Sequence, residues 1–156
     1  MWSEIGGRTE DEIAEHDARY RPWARRRLRS GELVGVVAER EDGTPVASGL
    51  VWFRPDQPRP RLSRLESPYI LSMFTEPAWR GRGVATRVVR ELLRVCRERG
   101  LPNAGLHASR LGRGVYRRLG FERTWEMRIW LDPRYAPRQP SARGRRKGRK
   151  GLGRGR

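Results

Sequence analysis

The chain has 156 residues, of which 36% are hydrophobic and 34% are charged. That length accommodates one domain with a hydrophobic core. No apolar run reaches the roughly 18 to 20 residues that span a bilayer, and the first residues lack the pattern of a signal peptide, so the sequence predicts a cytoplasmic protein without a membrane segment. The single cysteine, Cys96, excludes an internal disulfide and a multi-cysteine metal site, and we predict no metal site.

The formal net charge of +17 is concentrated at one end of the chain. Residues 133–156 contain ten Lys or Arg and no acid, which leaves +7 for residues 1–132. This tail repeats Arg, Gly and Lys with almost no apolar residues, and we therefore predict that it is disordered. The sequence thus divides into a domain over residues 1–132 and a basic tail over residues 133–156. Such charge is typical of proteins that contact nucleic acid, and a weak contact through the tail stays open.

The first predicted elements are two helices. Thr9 and Glu12 have the spacing of a capping box, which predicts a helix over residues 9–20. Pro22 suits the first turn of a second helix, over residues 22–30, because the missing N–H of proline is tolerated at that position.

Three strands are predicted next, over residues 33–38, 46–53 and 69–75. The Asp42-Gly43 turn favours a hairpin between the first two strands.

The longest amphipathic helix of the sequence is predicted from Val84 to Cys96, where apolar residues recur at helical spacing. Cys96 lies on the apolar stripe of that helix and is predicted to be a core residue. A strand over residues 104–108, a helix over 111–119 and a strand over 124–131 follow. In the last strand every second residue is apolar, namely Trp125, Met127, Ile129 and Leu131. This order of elements predicts an α/β fold of the α+β sandwich type, with a mixed, mostly antiparallel central sheet flanked by helices.

A loop rich in glycine and arginine, Arg80-Gly81-Arg82-Gly83-Val84-Ala85, joins the third strand to this helix. The first turn of a helix directs unpaired N–H groups outward at the positive end of the helix dipole, so phosphate or pyrophosphate is its natural ligand. The glycines let the backbone approach the anion, the arginines add positive charge, and Thr86 can donate a hydroxyl hydrogen bond. Neither the P-loop motif GxxxxGK[ST] nor the dinucleotide-binding motif GxGxxG is present, so those two kinds of phosphate loop are excluded. From the loop alone, the alternative is an ordinary turn without a ligand.

The same loop and three later segments resemble motifs of the GNAT superfamily of N-acetyltransferases. Arg80-x-x-Gly83-x-Ala85 is similar to the coenzyme A motif of that family. Leu106-His107-Ala108-Ser109 and Tyr116-Arg117-Arg118-Leu119-Gly120-Phe121 are similar to its second motif, and Glu126-Met127-Arg128-Ile129 resembles the strand that closes the domain. The chain departs from the family pattern in three ways: no first strand precedes the hairpin, so the N-terminus looks shortened; Ser109 stands where Asn is frequent; and the basic tail is additional.

The resemblance implies a GNAT-like acyl-CoA N-acyltransferase fold and an acyltransferase that moves acetyl directly from acetyl-CoA to a primary amine of a small molecule or peptide. It implies that Tyr116 is the general acid. The general base stays open among Glu66, Glu76, His107 and water. The residues implied to bind acetyl-CoA are Met73, Phe74, Thr75, Arg80, Gly81, Arg82, Gly83, Val84, Ala85, Thr86 and Ser109.

Two alternatives to an active transferase stay open at this point. One is a nucleic-acid-binding protein that acts through the tail, and the other is an inactive homologue that binds acetyl-CoA. Four aromatic residues, Trp52, Phe53, Trp125 and Trp130, are predicted to form the buried face of the sheet, with the lining of an acceptor pocket as the alternative. The sequence selects neither the acceptor amine nor an oligomeric state, a homodimer included.

Overall fold

The structure, a computed structural model, describes residues 9–58 and 65–132. The chain divides into two units, Met1–Glu122 and Arg123–Arg156. The tail predicted over residues 133–156 lies outside the described residues. The elements of the first unit, in chain order, are α1 (Glu10–Ser30), β1 (Leu33–Glu39), β2 (Pro45–Pro55), β3 (Glu66–Thr75), a 3-10 turn (Pro77–Trp79), α2 (Val84–Glu98), β4 (Gly105–Leu106) and α3 (Arg113–Arg118).

The N-terminal segment forms one helix, α1, where the sequence predicted two. The predicted capping box is present: Thr9 Oγ1 accepts from the Glu12 N–H at 3.2 Å, and Glu12 Oε2 accepts from the Thr9 N–H at 2.9 Å. Pro22 lies inside the helix. The prediction of two helices was wrong because packing on both sides of Pro22 can offset the roughly 3 kcal/mol that a proline costs inside a helix. Tyr20 before the proline and Trp23 after it contact each other at 5.5 Å, and both contact the sheet.

The sheet has four strands in the order β1-β2-β3-β4. The first three pair antiparallel, and β4 pairs with β3 in parallel, so the predicted mixed, mostly antiparallel sheet is confirmed. Trp52 and Phe53 are neighbours on β2 and therefore point to opposite faces. Phe53 belongs to the core that includes α2 residues, whereas Trp52 contacts Trp23 of α1. The two long helices thus cover opposite faces of the sheet.

The core lies between the sheet and α2. The apolar stripe of α2 is buried as its spacing predicted, with Val88, Val89 and Leu92 at 1% exposure or less. Cys96 belongs to the same cluster and is 3% exposed, which confirms it as a core residue. Burial raises the pKa of the Cys96 thiol, so that this side chain is a small apolar residue rather than a thiolate nucleophile.

The later predictions agree less well with the structure. The strand predicted over residues 104–108 is limited to Gly105–Leu106, and the helix predicted over residues 111–119 to Arg113–Arg118. The described part of the second unit, residues 123–132, contains no strand or helix, so the predicted closing strand over residues 124–131 is wrong.

Alternation of apolar residues specifies the two faces of a strand, but a strand is stable only where a partner completes its hydrogen-bond ladder. In the second unit Trp125 is 96% exposed and Met127 94%, and Trp130 is 42% exposed. Neither tryptophan belongs to a buried sheet face, which corrects the interpretation of Trp125 and Trp130 as core residues. Among residues 9–58 and 65–132, no helix is both long and apolar enough to cross a membrane.

Candidate functional site

The edge of β3 that faces β4 opens before the strand ends. The two strands pair only at Tyr69 with Gly105 and at Ile70 with Leu106. From there to Thr75 this edge has no strand partner among the described residues. Its backbone N–H and C=O groups can therefore pair with the amide groups of an extended ligand, as an added strand would. The sequence-predicted residues Met73, Phe74 and Thr75 all lie on this open edge.

A β-bulge in β3 lies at the start of the open edge. Ser48 is opposite Phe74 and Leu50 is opposite Leu71, so two residues of β3 oppose the single residue between them on β2. The first of the two, Ser72, has φ 52° and is the only described non-glycine residue with a left-handed backbone. Such a conformation costs a non-glycine residue about 1–3 kcal/mol and is typical of functional sites.

Gly49, the β2 residue opposite the bulge, is there because no side chain fits. A Cβ at this position would lie 2.3 Å from Met73 Sδ, 3.0 Å from Val88 Cγ1 and 3.2 Å from Leu92 Cδ1. The bulge directs the Met73 side chain into the space that Gly49 leaves, where it packs against the core next to α2. The close fit of these side chains therefore holds the bulge and the open edge in position.

The predicted anion-binding loop follows β3 directly. After the 3-10 turn Pro77–Trp79, Arg80 turns back and donates from Nε to the Thr75 carbonyl at 3.0 Å. The Arg82 guanidinium lies 5.2 Å from the centre of the Trp79 ring. The two arginines therefore differ in role. Arg80 holds the loop against the end of β3, whereas Arg82 is an exposed positive charge whose guanidinium lies over the Trp79 ring.

The glycines of this loop are required by its backbone. Gly81 has φ 75° and Gly83 has φ 78°, and a Cβ at either position would meet nothing within 4 Å. Both glycines have left-handed backbones, which glycine adopts without the steric cost that a side chain adds. Gly83 is the N-cap of α2, with no side-chain cap and no acid in the first turn of the helix. The N–H groups of the first turn, up to Thr86, are therefore available to an anion. The dipole of α2, a helix of 15 residues, has its positive end here and favours a negative charge.

Tyr116, the predicted general acid, lies on α3 and packs against the hydrophobic core. Its ring meets Phe121 edge to face at 5.7 Å. Burial raises the pKa of the Tyr116 phenol, so this group keeps its proton to higher pH than an exposed tyrosine does. Ser109, the predicted pantetheine contact, caps the turn before α3, where its Oγ accepts from the Gly112 N–H at 3.1 Å.

The three candidate bases lie in different places. Glu66 begins β3, nine residues before the end of the strand at Thr75, so that roughly 30 Å of extended chain separate the two. Glu76 follows Thr75 and is exposed. His107 follows β4 at the point where β3 and β4 separate, and its Nδ1 is hydrogen-bonded to the Tyr69 hydroxyl. In the described part of the chain, no group of three or more His, Cys, Asp or Glu is arranged to hold a metal ion.

The loop, the open strand edge and the order of elements agree with one family. The sequence model of the Acetyltransferase (GNAT) family matches residues 2–121. The chain belongs to this family. It is therefore a GNAT-type N-acetyltransferase domain, as the resemblance of its motifs implied, although the strand expected to close that domain is absent from the described residues.

Solved structures agree with this assignment. A predicted acetyltransferase from Clostridium acetobutylicum, solved with acetyl-CoA, shares 30% identity over 84% of this chain and 80% of that chain, with a TM-score of 0.69. A GCN5-related N-acetyltransferase from Ralstonia eutropha JMP134 shares 29% identity over 80% of this chain and 82% of that one, with a TM-score of 0.70. Glucosamine-6-phosphate N-acetyltransferase from Arabidopsis thaliana, at 23% identity, 81% and 82% coverage and a TM-score of 0.57, shows the fold alone. A comparison with curated proteins gave no match.

Sequence reasoning missed the residues that shape the open edge. Gly49 carried a usable signal, because an isolated glycine inside an alternating strand indicates a bulge or a close approach. Ser72 carried none, since a left-handed serine leaves no mark in the sequence. Tyr20 was also missed: its hydroxyl is 3.3 Å from Ser72 Oγ and joins α1 to the bulge.

Proposed function

We propose that this protein moves the acetyl group of acetyl-CoA to a primary amine of a small molecule or peptide by direct transfer. One arrangement carries the proposal: the open edge of β3 leads, through a loop of two left-handed glycines, to an uncapped helix N-terminus without acidic neighbours. A ligand with amide groups at one end and a pyrophosphate at the other matches this arrangement. Coenzyme A is such a ligand.

The described residues fit acetyl-CoA along its length. The backbone of Met73, Phe74 and Thr75 pairs with the pantetheine arm, and Ser109 adds a contact from the turn before α3. The backbone N–H groups from Gly81 to Thr86 hold the pyrophosphate at the N-terminus of α2. Arg82, exposed and stacked on an indole ring, contributes charge, whereas Arg80 keeps the loop closed on β3.

The transfer requires two proton movements. When bound, acetyl-CoA supplies an activated thioester; a bond forms between its carbonyl carbon and the amine nitrogen, and the carbon–sulfur bond breaks. Tyr116 donates its phenolic proton, which it carries at neutral pH, to the leaving sulfur. The amine gives its own proton to a base.

Position favours Glu76, His107 or water as that base. Glu76 is next to the open edge, and His107 is where β3 and β4 separate. Glu66 is disfavoured because it begins β3, at the end away from the bulge and the open edge.

A thermal-shift titration with acetyl-CoA tests the proposal. At a ligand concentration of about 100 times Kd, linkage predicts about 2.7 kcal/mol of stabilisation, which raises the Tm of a domain of this size by about 5–10 °C. R82A is expected to weaken acetyl-CoA binding by about three- to tenfold, since it removes one exposed charge worth about 1 kcal/mol.

The matched control is R90A, which removes an exposed arginine from the middle of α2 and leaves binding unchanged. A flat titration of folded protein contradicts the whole proposal. Binding without acetyl transfer to any of a panel of primary amines identifies an inactive homologue.

The basic tail supports a second candidate function, contact with nucleic acid. Residues 133–156 carry ten Lys or Arg and no acid, and such a segment neutralises phosphates in a salt-dependent way. Deletion of residues 133–156 separates the two functions. Acetyl transfer is expected to survive the deletion, whereas nucleic-acid affinity and its dependence on salt are expected to disappear.

A further inference from the structure

Residues 124–131, in the second unit, form a segment whose apolar side chains lie in the open; we call it the alternating segment. Every second residue of it is apolar, and each of these residues is at least 79% exposed, namely Trp125, Met127, Ile129 and Leu131. A group of large apolar side chains that are exposed together is typical of a surface that binds another protein. The proposed acetyl-CoA site uses none of these residues.

The residues between these four lie together on the other side of the alternating segment. Arg128 Nη2 is 3.8 Å from Glu126 Oε1, and the Arg128 guanidinium lies 5.6 Å from the centre of the Trp130 ring. Trp130 is 42% exposed, less than any residue of the apolar face. Side chains two residues apart share one side in a β-strand. The alternating segment therefore has the two faces of a strand, although it forms no ladder in the described part of the chain.

The alternating segment is complementary to itself about Met127. Its neighbours Glu126 and Arg128 have opposite charges, and the next residues outward, Trp125 and Ile129, are both apolar. When two copies pair antiparallel with Met127 opposite Met127, each Glu126 lies opposite Arg128 of the other copy, and each Trp125 lies opposite Ile129. Pairs of opposite charge and pairs of an aromatic with a β-branched residue stabilise antiparallel strands. A surface that complements itself in this way suits a two-fold homodimer.

Antiparallel pairing also keeps the basic tails apart. Residues 133–156 carry ten Lys or Arg and no acid in each copy, so that two tails repel each other. In the antiparallel pair, Leu131 of one copy lies opposite Arg123 of the other, and the two Leu131 residues are about 27 Å apart because eight residues separate them along the strand. That distance is about three Debye lengths at physiological ionic strength. A parallel pair would place both tails at one end and Glu126 opposite Glu126.

We propose that the alternating segments of two copies pair antiparallel, centred on Met127, and join this chain into a homodimer. The apolar alternation that forms no strand within one chain then obtains its ladder from the second chain. A two-stranded ribbon is marginally stable in water, so the association is expected to be weak, with a Kd of about 10–100 µM.

Sedimentation velocity of the full chain from about 5 to 500 µM tests the dimer, which the wild-type protein is expected to form over this range. E126R places arginine opposite Arg128, and R128E places glutamate opposite Glu126, so each variant alone is expected to dimerise at least about tenfold more weakly. Mixed in equal amounts, the two variants are expected to form a heterodimer, because every arginine then lies opposite a glutamate. The control, E41R, makes the same change of charge in the exposed turn between β1 and β2 and is expected to leave the dimer unchanged.

Cross-linking reports the register of the two copies. With a short bismaleimide, M127C is expected to be linked between copies because position 127 lies opposite itself. T124C is the matched control and is expected to stay unlinked, since the two copies of position 124 are about 20 Å apart in this register. Cys96 is buried and common to both variants.

Far-UV circular dichroism identical to that of the wild type shows that each variant is folded. A wild-type chain that stays monomeric over the whole concentration range overturns the proposal. So do a dimer that E126R and R128E leave as strong as before, and a mixture of these two variants that stays monomeric. Linking of T124C as readily as of M127C overturns the antiparallel pairing centred on Met127.

Discussion

Substitution of Gly49 by alanine perturbs the side-chain packing that holds the open edge of β3 in position. The added Cβ would lie 2.3 Å from Met73 Sδ, more than about 1 Å inside an ordinary contact of roughly 3.5–4.0 Å. Met73 can swing away, but Val88 and Leu92, at 3.0 and 3.2 Å, lie on α2 and are 1% and 0% exposed. Overpacking of this kind costs about 1–3 kcal/mol. For a domain of this size, 2 kcal/mol lowers the Tm by about 4–8 °C.

The free energy of unfolding, measured by urea denaturation followed by circular dichroism, checks this magnitude. G105A is the matched control, because a Cβ there meets only Tyr69 at an ordinary 3.7 Å, and it is expected to change the free energy of unfolding by less than about 0.5 kcal/mol. Because a displaced Met73 also shifts the bulge, G49A is expected to raise the KM for acetyl-CoA.

The double variant G49A/M73A identifies the contact responsible. Removing the Met73 thioether gives the new methyl group room, so the cost of the double variant is expected to be smaller than the sum of the two single costs by at least about 0.5 kcal/mol. Full additivity, or a G49A protein as stable as the wild type, would refute the assignment of Gly49 and Met73 as the pair that holds the bulge.

Three further expectations concern Tyr116 and Pro22. Y116F is expected to keep acetyl-CoA binding and to lower kcat by about 100-fold, as for a lost general acid; an unchanged kcat removes Tyr116 from the mechanism. The raised pKa of Tyr116 means that the folded chain keeps this proton to higher pH than the unfolded chain, whose phenol has the ordinary value of 10.0, so stability falls as pH rises above 10. Urea denaturation across that range should show a shallower fall for Y116F, and identical slopes would contradict the burial of the phenol. P22A is expected to raise the Tm, because proline costs about 3 kcal/mol inside a helix, whereas a proline that starts a second helix would be neutral or favourable.

Much of the fold could be predicted because its signals are local. The capping box of Thr9 and Glu12 needs only a few neighbouring residues and is present. The spacing of apolar residues in α2 specifies which face is buried, and that face forms the core. Glycines directly before a helix indicate a turn, and Gly81 and Gly83 form that turn at the start of α2; the sequence interpreted them through their close approach to an anion, whereas their left-handed backbones are a finding of the structure.

Other features depend on contacts between distant segments. In the sequence, Pro22 indicates the start of a second helix. In the structure, the packing of α1 on the sheet keeps one helix continuous through that residue. The bulge at Ser72 arises because β3 must match the register of β2 while Met73 fills the space over Gly49. The alternating residues around Trp125 predict a strand, yet residues 123–132 form no strand. Alternation indicates which side chains a strand would bury, but it does not provide the neighbouring strand that completes the hydrogen-bond ladder.

The sequence by itself therefore determined the class of fold, the buried face of α2 and the glycine-rich turn in front of that helix, all of which follow from backbone angles and periodicity within one segment. Only the tertiary structure decided where β3 separates from β4 and which helix face lies beside that opening. Those features arise from the pairing of segments up to about 50 residues apart, such as Tyr20 with Ser72, and such pairing is set by the packing of the whole domain.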